Sequence, residues 1–110
     1  MQEKRKSIRY TTRAQATIPG FFDSEALLKD ISVTGCCIEA MRWVNIQPDM
    51  QCTIQIIPEP DSKIGKFELT AQSRWTRNND DSCEIGFLIL ESPKGKHFQR
   101  YVDYLAYRAS

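Results

Sequence analysis

Alternation of apolar and polar residues with a period of two runs through most of this chain and limits the folds that it can adopt. The clearest strands are predicted over residues 50–56, 67–75 and 83–89. Weaker strands are predicted over 12–18, 25–31 and 35–43. Such alternation is typical of strands with one buried face, and turn-forming residues separate the six segments. The sequence therefore predicts an all-β domain, either an antiparallel barrel or a sandwich.

The last part of the chain changes to helical periodicity. An apolar stripe recurs at helical spacing from Phe98 onward, with Tyr101 on its edge. Ser92 suits an N-cap and Pro93 the first helical position, so an α-helix is predicted over 92–109. We favour an interpretation in which the stripe lies across an open end of the barrel; the alternative is that it docks on another protein.

Length and charge limit the class of protein. The chain has 110 residues, with 15 basic and 14 acidic side chains and a net charge of +1. This length suits one domain, over residues 1–110, with a single core. The balanced charge argues against nucleic acid or a membrane surface as a partner, because both need a broad basic face. No apolar run approaches the roughly 20 residues of a membrane span, so we expect a cytoplasmic protein.

The four cysteines form neither a metal-binding nor a catalytic pattern. Cys36, Cys37, Cys52 and Cys83 lack CxxC spacing, and the single histidine, His97, lies in the helical segment. Strand alternation predicts that Cys52, Cys83 and one of the adjacent pair are buried thiols. There is also no nucleophile–base pair in sequence proximity. The sequence thus predicts no enzyme, no metal and no cofactor.

A basic cluster stands out in the leading segment, which is predicted to be flexible over 1–11. Lys4, Arg5, Lys6 and Arg9 lie within six residues. The simplest interpretation is a solvated, charged tail. Arg5 and Arg9 are four residues apart, roughly 13 Å in an extended chain, which is enough for the segment to wrap around a ligand.

A second cluster, DISVTG, occupies residues 30–35. On a strand, Asp30 and Ser32 would share a face, while Ile31 and Val33 could enter the core. Gly35 would remove a Cβ where the strand turns or where a ligand approaches the backbone. A turn with a bulge is the simpler interpretation of these residue types.

Together the two clusters resemble the PilZ domain family, which is defined by an RxxxR loop followed by a D/NxSxxG strand motif. Here RKSIR (5–9) precedes DISVTG (30–35) on a six-stranded pattern with a final helix. The segments AQSRW (71–75) and IGF (85–87) look like later strands of the family. The resemblance implies a six-stranded antiparallel barrel of the split-barrel type. It also implies binding of cyclic di-GMP, a bacterial second messenger.

The resemblance gives Arg5, Arg9, Asp30, Ser32 and Gly35 as ligand-binding positions. The planar fork of arginine pairs with phosphate oxygens or with O6 and N7 of guanine. An ionised carboxylate only accepts hydrogen bonds, and guanine presents N1–H and N2–H donors that adenine lacks. Resemblance thus places Asp30 and Ser32 on the base-recognition surface, and the donor pattern explains a preference for guanine.

Lys4 departs from the family pattern. Many members have arginine immediately before RxxxR and bind a stacked dimer of the nucleotide, whereas an apolar residue there is associated with a single molecule. Lysine keeps the charge but loses the planar stacking surface. We expect that a stacked dimer still binds.

Trp75 ends a strand whose apolar parity points into the core, so core packing is its simplest role. The alternative is that its ring edges the nucleotide pocket, helped by Arg74 or Arg77.

The leading hypothesis is a receptor in which cyclic di-GMP orders the leading segment and alters binding of an unidentified partner protein, in motility or biofilm regulation. An alternative is a PilZ-like adaptor that acts through protein contacts without nucleotide. A barrel that binds single-stranded nucleic acid is disfavoured, because such folds expose aromatic residues. Here Phe67 and Trp75 fall on the buried parity.

Overall fold

The computed structural model describes residues 8–91 and 96–109, with only the backbone given for residues 22–25. The strands of these ranges are β1 (Tyr10–Thr11), β2 (Gln15–Ile18), β3 (Phe22–Ile31), β4 (Gly35–Ala40), β5 (Gln51–Ile57), β6 (Phe67–Asn78) and β7 (Cys83–Glu91). One helix, α1 (His97–Ala109), follows them, and a 3₁₀ turn (Pro60–Ser62) connects β5 to β6. No helix of the described residues is long and apolar enough to cross a membrane.

Six of the strands close into an antiparallel barrel. Their order is β3-β2-β5-β6-β7-β4, and β4 pairs back onto β3. The predicted six-stranded barrel with a C-terminal helix is therefore confirmed. The short strand β1 lies outside the ring and extends the edge of β3 that pairs with β2, with Tyr10 opposite Ile31 and Thr11 opposite Asp30. Residues 10–11, which the sequence assigned to a flexible segment, are thus held against the barrel.

Inward-facing side chains of all six strands fill the barrel, as the alternation requires. Ile54 and Ile56 of β5 and Leu69 of β6 are fully buried. Burial of one such side chain contributes about 1.5–3 kcal/mol of hydrophobic stabilisation. Cys36 and Cys83 belong to this pattern and are fully buried, whereas Cys52, which was predicted to be buried, is only partly so.

Helix α1 packs on the barrel with its apolar stripe, which is the interpretation favoured above. Phe98 and Tyr101 are buried, and their rings lie 6.1 and 5.9 Å from the ring centroid of Phe67 on β6. The helix begins at His97 in the described residues. The predicted cap at Ser92-Pro93 lies outside them.

Candidate functional site

The two sequence clusters meet at an ion pair between Arg9 and Asp30. The Nη1 atom of Arg9 donates a hydrogen bond to Oδ1 of Asp30 at 2.6 Å. Pairing of β1 with the end of β3 brings the leading segment to this place. The side chains are 50% and 31% exposed, and ion pairs this exposed contribute at most about 1 kcal/mol. A charged ligand could therefore compete for either partner.

Ser32 organises the turn between β3 and β4. Its side chain is only 1% exposed, and its Oγ accepts hydrogen bonds from the backbone N–H groups of Thr34 and Gly35 at 3.2 and 3.1 Å. Because β3 ends at Ile31, strand alternation no longer applies to these residues. The prediction that Val33 enters the core is accordingly wrong, since Val33 is 47% exposed. Direct contact of Ser32 with a ligand stays a prediction.

Gly35 has no side chain, so the backbone of β7 and the side chain of Arg9 can both lie close to it. A Cβ atom at this position would lie 2.7 Å from the carbonyl oxygen of Phe87 on β7 and 3.4 Å from Nη2 of Arg9. The backbone of β7 thus leaves no room for a side chain here. The same missing side chain lets the guanidinium of Arg9 lie against β4.

A row of four residues crosses the outer face of the barrel between β3 and β6. Asp30 is opposite Cys37, Cys37 is opposite Gly86, and Gly86 is opposite Trp75. Opposite residues of antiparallel strands share a face of the sheet. The strand spacing of roughly 4.8 Å separates Asp30 from Trp75 by roughly 14 Å. The two small residues between them form a shallow floor.

Trp75 lies on this outer face, so the simpler prediction of core packing is wrong. Ser73 pairs with Phe87 and Trp75 pairs with Gly86, which makes Arg74 the extra residue of a β-bulge. The bulge shifts the parity of β6, and Trp75 is 46% exposed. A side chain at Gly86 would overlap the indole ring, so the ring lies directly on the β7 backbone. A glycine inside a strand is the sequence signal for such an approach, and our sequence analysis did not use it.

We call the space beside Arg9 and Trp75 the outer cavity. It has a volume of about 230 Å³ and is lined by Arg9, Thr34, Gly35, Arg74, Trp75, Gly86, Phe87 and Leu88. Two arginines and two aromatic residues, Trp75 and Phe87, are among these lining residues, and no carboxylate is. Such a lining suits an anion that also carries an aromatic group.

A second space, the helix-side cavity, lies on another side of Arg9. It has a volume of about 410 Å³, and its lining residues are Arg9, Tyr10, Thr11, Thr12, Arg13, Glu59, Leu105, Arg108 and Ala109. Glu59 is 9% exposed, and its Oε1 accepts a hydrogen bond from the hydroxyl of Tyr101 at 2.6 Å. Its Oε2 has no hydrogen-bond partner among the described residues and lies 3.7 Å from Nη1 of Arg108. Burial, and then the Glu59 carboxylate, raises the pKa of Tyr101.

A group of charges, the Glu84 cluster, borders the outer cavity. Glu84 is buried and accepts hydrogen bonds from Lys29 of β3 and Arg77 of β6. These bonds, that of Lys29 first, lower the pKa of the Glu84 carboxyl. The guanidinium carbon of Arg77 also lies 5.8 Å from the centroid of the Trp75 ring, a cation–π distance. Arg77, which Glu84 holds in place, thus contacts the Trp75 ring and stabilises its position.

The thiol of Cys37 lies in the floor of the outer face and has no sign of reactivity. It is 6% exposed, and its pKa is raised to about 11, chiefly by burial and then by the charges of Asp30 and Glu84. The thiolate, which is the reactive form, is therefore scarce at neutral pH. Within residues 8–91 and 96–109, no group of three or more His, Cys, Asp or Glu side chains could hold a metal ion.

The structure brings together four of the seven predicted site residues around one surface: Arg9, Asp30, Gly35 and Trp75. Ser32 lies beneath them in the turn. Lys4 and Arg5 lie outside the described residues. The sequence analysis missed Gly86 and the burial of Glu59, and it mentioned Arg74 only as a helper of Trp75.

Comparison with known proteins gives matches of two kinds. A family model described as "PilZ domain" matches residues 3–104. Among solved structures, the chain is similar to the Bacillus subtilis inhibitor of motility (MotI/DgrA), with a TM-score of 0.75 and 16% sequence identity. That alignment covers 98% of this chain and 52% of the other, so this chain spans about half the length of that protein. No curated protein matches this chain.

Proposed function

Because this chain belongs to the PilZ domain family, we propose that it is a receptor for cyclic di-GMP, bound on the outer face of the barrel. The ion pair of Arg9 with Asp30 beside the outer cavity is the observation that supports this most directly. It joins the last arginine of RxxxR to the first residue of DxSxxG. The family is a non-catalytic receptor or adaptor domain.

Each part of the nucleotide has a chemical counterpart on this surface. The guanidinium of Arg9 suits a phosphodiester, because its fork presents two donors to two oxygens. The carboxylate of Asp30 suits the N1–H and N2–H donors of guanine, which adenine lacks. The exposed face of Trp75 offers a guanine a stacking surface, and stacking contributes about 1–3 kcal/mol per base.

Ligand binding would exchange the ion pair for contacts with the nucleotide. Arg9 would turn from Asp30 to a phosphodiester, and Asp30 would accept from the guanine that it recognises. Lys4 and Arg5 would join from the leading segment, and we keep the proposal that the nucleotide binds as a stacked dimer. The reordered segment would change the surface offered to a partner protein. We expect this in the cytoplasm, with motility or biofilm formation as the process regulated.

Isothermal titration calorimetry with cyclic di-GMP tests this function. We expect micromolar or tighter binding by the wild type, and a loss of about 2–5 kcal/mol in Arg9→Ala, since one partner of a charged contact is removed. Asp30→Ala should also reduce the preference over cyclic di-AMP. A fitted stoichiometry of two nucleotides per protein supports the stacked dimer, and one rejects it. A wild type without affinity rejects the receptor and leaves an adaptor that acts through protein contacts alone.

A further inference from the structure

The β-bulge of β6 places Arg74 beside Trp75 in the outer cavity. A regular strand would not place both side chains there. In a regular strand, neighbouring residues face opposite sides of the sheet. At the bulge both Arg74 and Trp75 are opposite the same region of β7, both are exposed, and both line the outer cavity. Bulges commonly redirect side chains in this way near functional sites.

The charge of Arg74 has no counter-charge in contact with it among residues 8–91 and 96–109. No ion pair or hydrogen bond among the described residues uses its guanidinium. The other arginine of the cavity, Arg9, is paired with Asp30. Arg77, three residues further along β6, is paired with Glu84. Of these three arginines, Arg74 alone has its full charge available to a ligand.

The two arginines reach the outer cavity from opposite elements. Arg9 enters from the segment before β1 and lies against Gly35 of β4, while Arg74 enters from β6 beside Trp75. An anion in the cavity would therefore lie between two guanidinium groups without a lining carboxylate to repel it. Two cations around one anionic group hold it more strongly and fix its position better than one.

We propose that Arg74 binds a phosphodiester group of the ligand and forms, with Arg9, a two-sided clamp across the outer cavity. This inference rests on the proposed function and adds a residue outside the RxxxR and DxSxxG motifs. It assigns Arg74 an electrostatic role toward phosphate rather than recognition of a base. Lysine can fill an electrostatic role toward phosphate as a point charge, whereas a bidentate contact to a base needs the planar fork.

Titration with cyclic di-GMP of the wild type, Arg74→Ala, Arg74→Lys and a matched control tests the proposal. Arg100→Ala is the control, because Arg100 is an exposed arginine on α1 that lines neither cavity. We expect Arg74→Ala to weaken binding on the order of 10–100-fold, and Arg74→Lys by less than about fivefold. Arg100→Ala should bind as the wild type does. The affinity of Arg74→Ala should also depend less steeply on salt, because one phosphate contact is lost.

Each result decides between the proposals. If the wild type binds and Arg74→Ala binds equally well, the clamp is wrong while the receptor stands. If Arg74→Lys is as weak as Arg74→Ala, Arg74 acts through its planar fork rather than through its charge, and the electrostatic role is overturned. If the wild type does not bind at all, the receptor itself is overturned, and the clamp with it. A thermal melt of each variant verifies that the barrel is intact.

Discussion

The two cavities that share Arg9 have different linings, and the larger cavity is the less suited to an anion. The helix-side cavity is the larger, about 410 Å³ against about 230 Å³, and it has three lining arginines against two. It also contains a buried carboxylate, Glu59, to whose Oε2 no group in residues 8–91 or 96–109 donates a hydrogen bond. A phosphate there would meet a like charge at low solvent exposure, which is costly. The lining of a cavity, rather than its volume, thus indicates which of the two suits an anionic nucleotide.

The polar contacts of the helix-side cavity connect elements of the fold. Tyr101 of α1 donates to Glu59, which precedes the 3₁₀ turn, and Arg108 of α1 lies near the same carboxylate. The outer cavity instead has exposed side chains on strands that the backbone already holds together. We therefore expect changes in the outer cavity to alter ligand affinity, and changes in the helix-side cavity to alter stability.

The largest effect is expected for Gly35→Ala, which should reduce both affinity and stability. The new Cβ would lie 2.7 Å from the carbonyl oxygen of Phe87, so β4 and β7 must separate or shift. Overpacking of this kind costs about 1–3 kcal/mol of unfolding free energy. The shift of β4 would also move the surface against which Nη2 of Arg9 lies, so we expect weaker nucleotide binding as well. Urea unfolding and calorimetric titration measure the two effects.

Gly65→Ala is the matched control for this substitution. The nearest atom to a Cβ at Gly65 is Cε1 of His97 at 3.4 Å, and Gly65 lines neither cavity. It should remain within about 1 kcal/mol of the wild type. Equal stability and equal affinity of the two variants would contradict the close packing of β4, β7 and Arg9.

The next largest effect is expected for Tyr101→Phe, which should reduce stability without changing nucleotide affinity. The variant removes the donor to Oε1 of Glu59, and neither oxygen of the buried carboxylate then has a donor in the part of the chain that the structure describes. An unsatisfied buried group costs about 1–3 kcal/mol. Chemical denaturation of the wild type and the variant measures the difference.

Tyr104→Phe gives the comparison for this variant, since the partly exposed Tyr104 hydroxyl only accepts a bond from Arg108 at 3.2 Å. It should cost less than about 0.5 kcal/mol. A clear loss of cyclic di-GMP affinity in Tyr101→Phe would contradict the proposal that the outer cavity binds the ligand while the helix-side cavity contributes to stability.

The sequence predicted the barrel well because alternation and turn residues are local signals. It also predicted the meeting of Arg9 with Asp30, through the family motifs rather than through periodicity. It was wrong about Trp75, because one extra residue at Arg74 reverses the parity of everything after it in β6. A period-two pattern contains no sign of where such a residue is inserted.

Other errors have a similar physical origin. Val33 follows the end of β3, and there the hydroxyl of Ser32 holds a turn in which strand alternation has no meaning. Glu59 lies between two prolines in a stretch that predicts a turn, and polar turn residues are usually exposed. Its burial depends on Tyr101, 42 residues later in the chain, so no local pattern could have indicated it.

The smallest effect is expected for Glu84→Gln, at the border of the outer cavity. The wild-type carboxylate accepts from Lys29 at 2.7 Å and from Arg77, but these partners are 44% and 65% exposed. Solvent weakens such pairs, so we expect a loss of about 1 kcal/mol at pH 7. Affinity for cyclic di-GMP should change by less than about threefold, because Glu84 does not line the cavity.

The pH dependence of this loss tests its cause. The folded state lowers the pKa of Glu84, so its stabilising contribution is complete above the ordinary glutamate value of about 4.3 and is lost as pH falls through the lower folded value. Urea unfolding from pH 7 to pH 3 should show the wild type and Glu84→Gln converging in acid. Glu68→Gln, whose exposed wild-type carboxylate accepts from the neutral side chain of Gln55, should show no such convergence. A difference between the wild type and Glu84→Gln that stays constant to pH 3 would mean that packing, rather than charge, holds this border of the outer cavity.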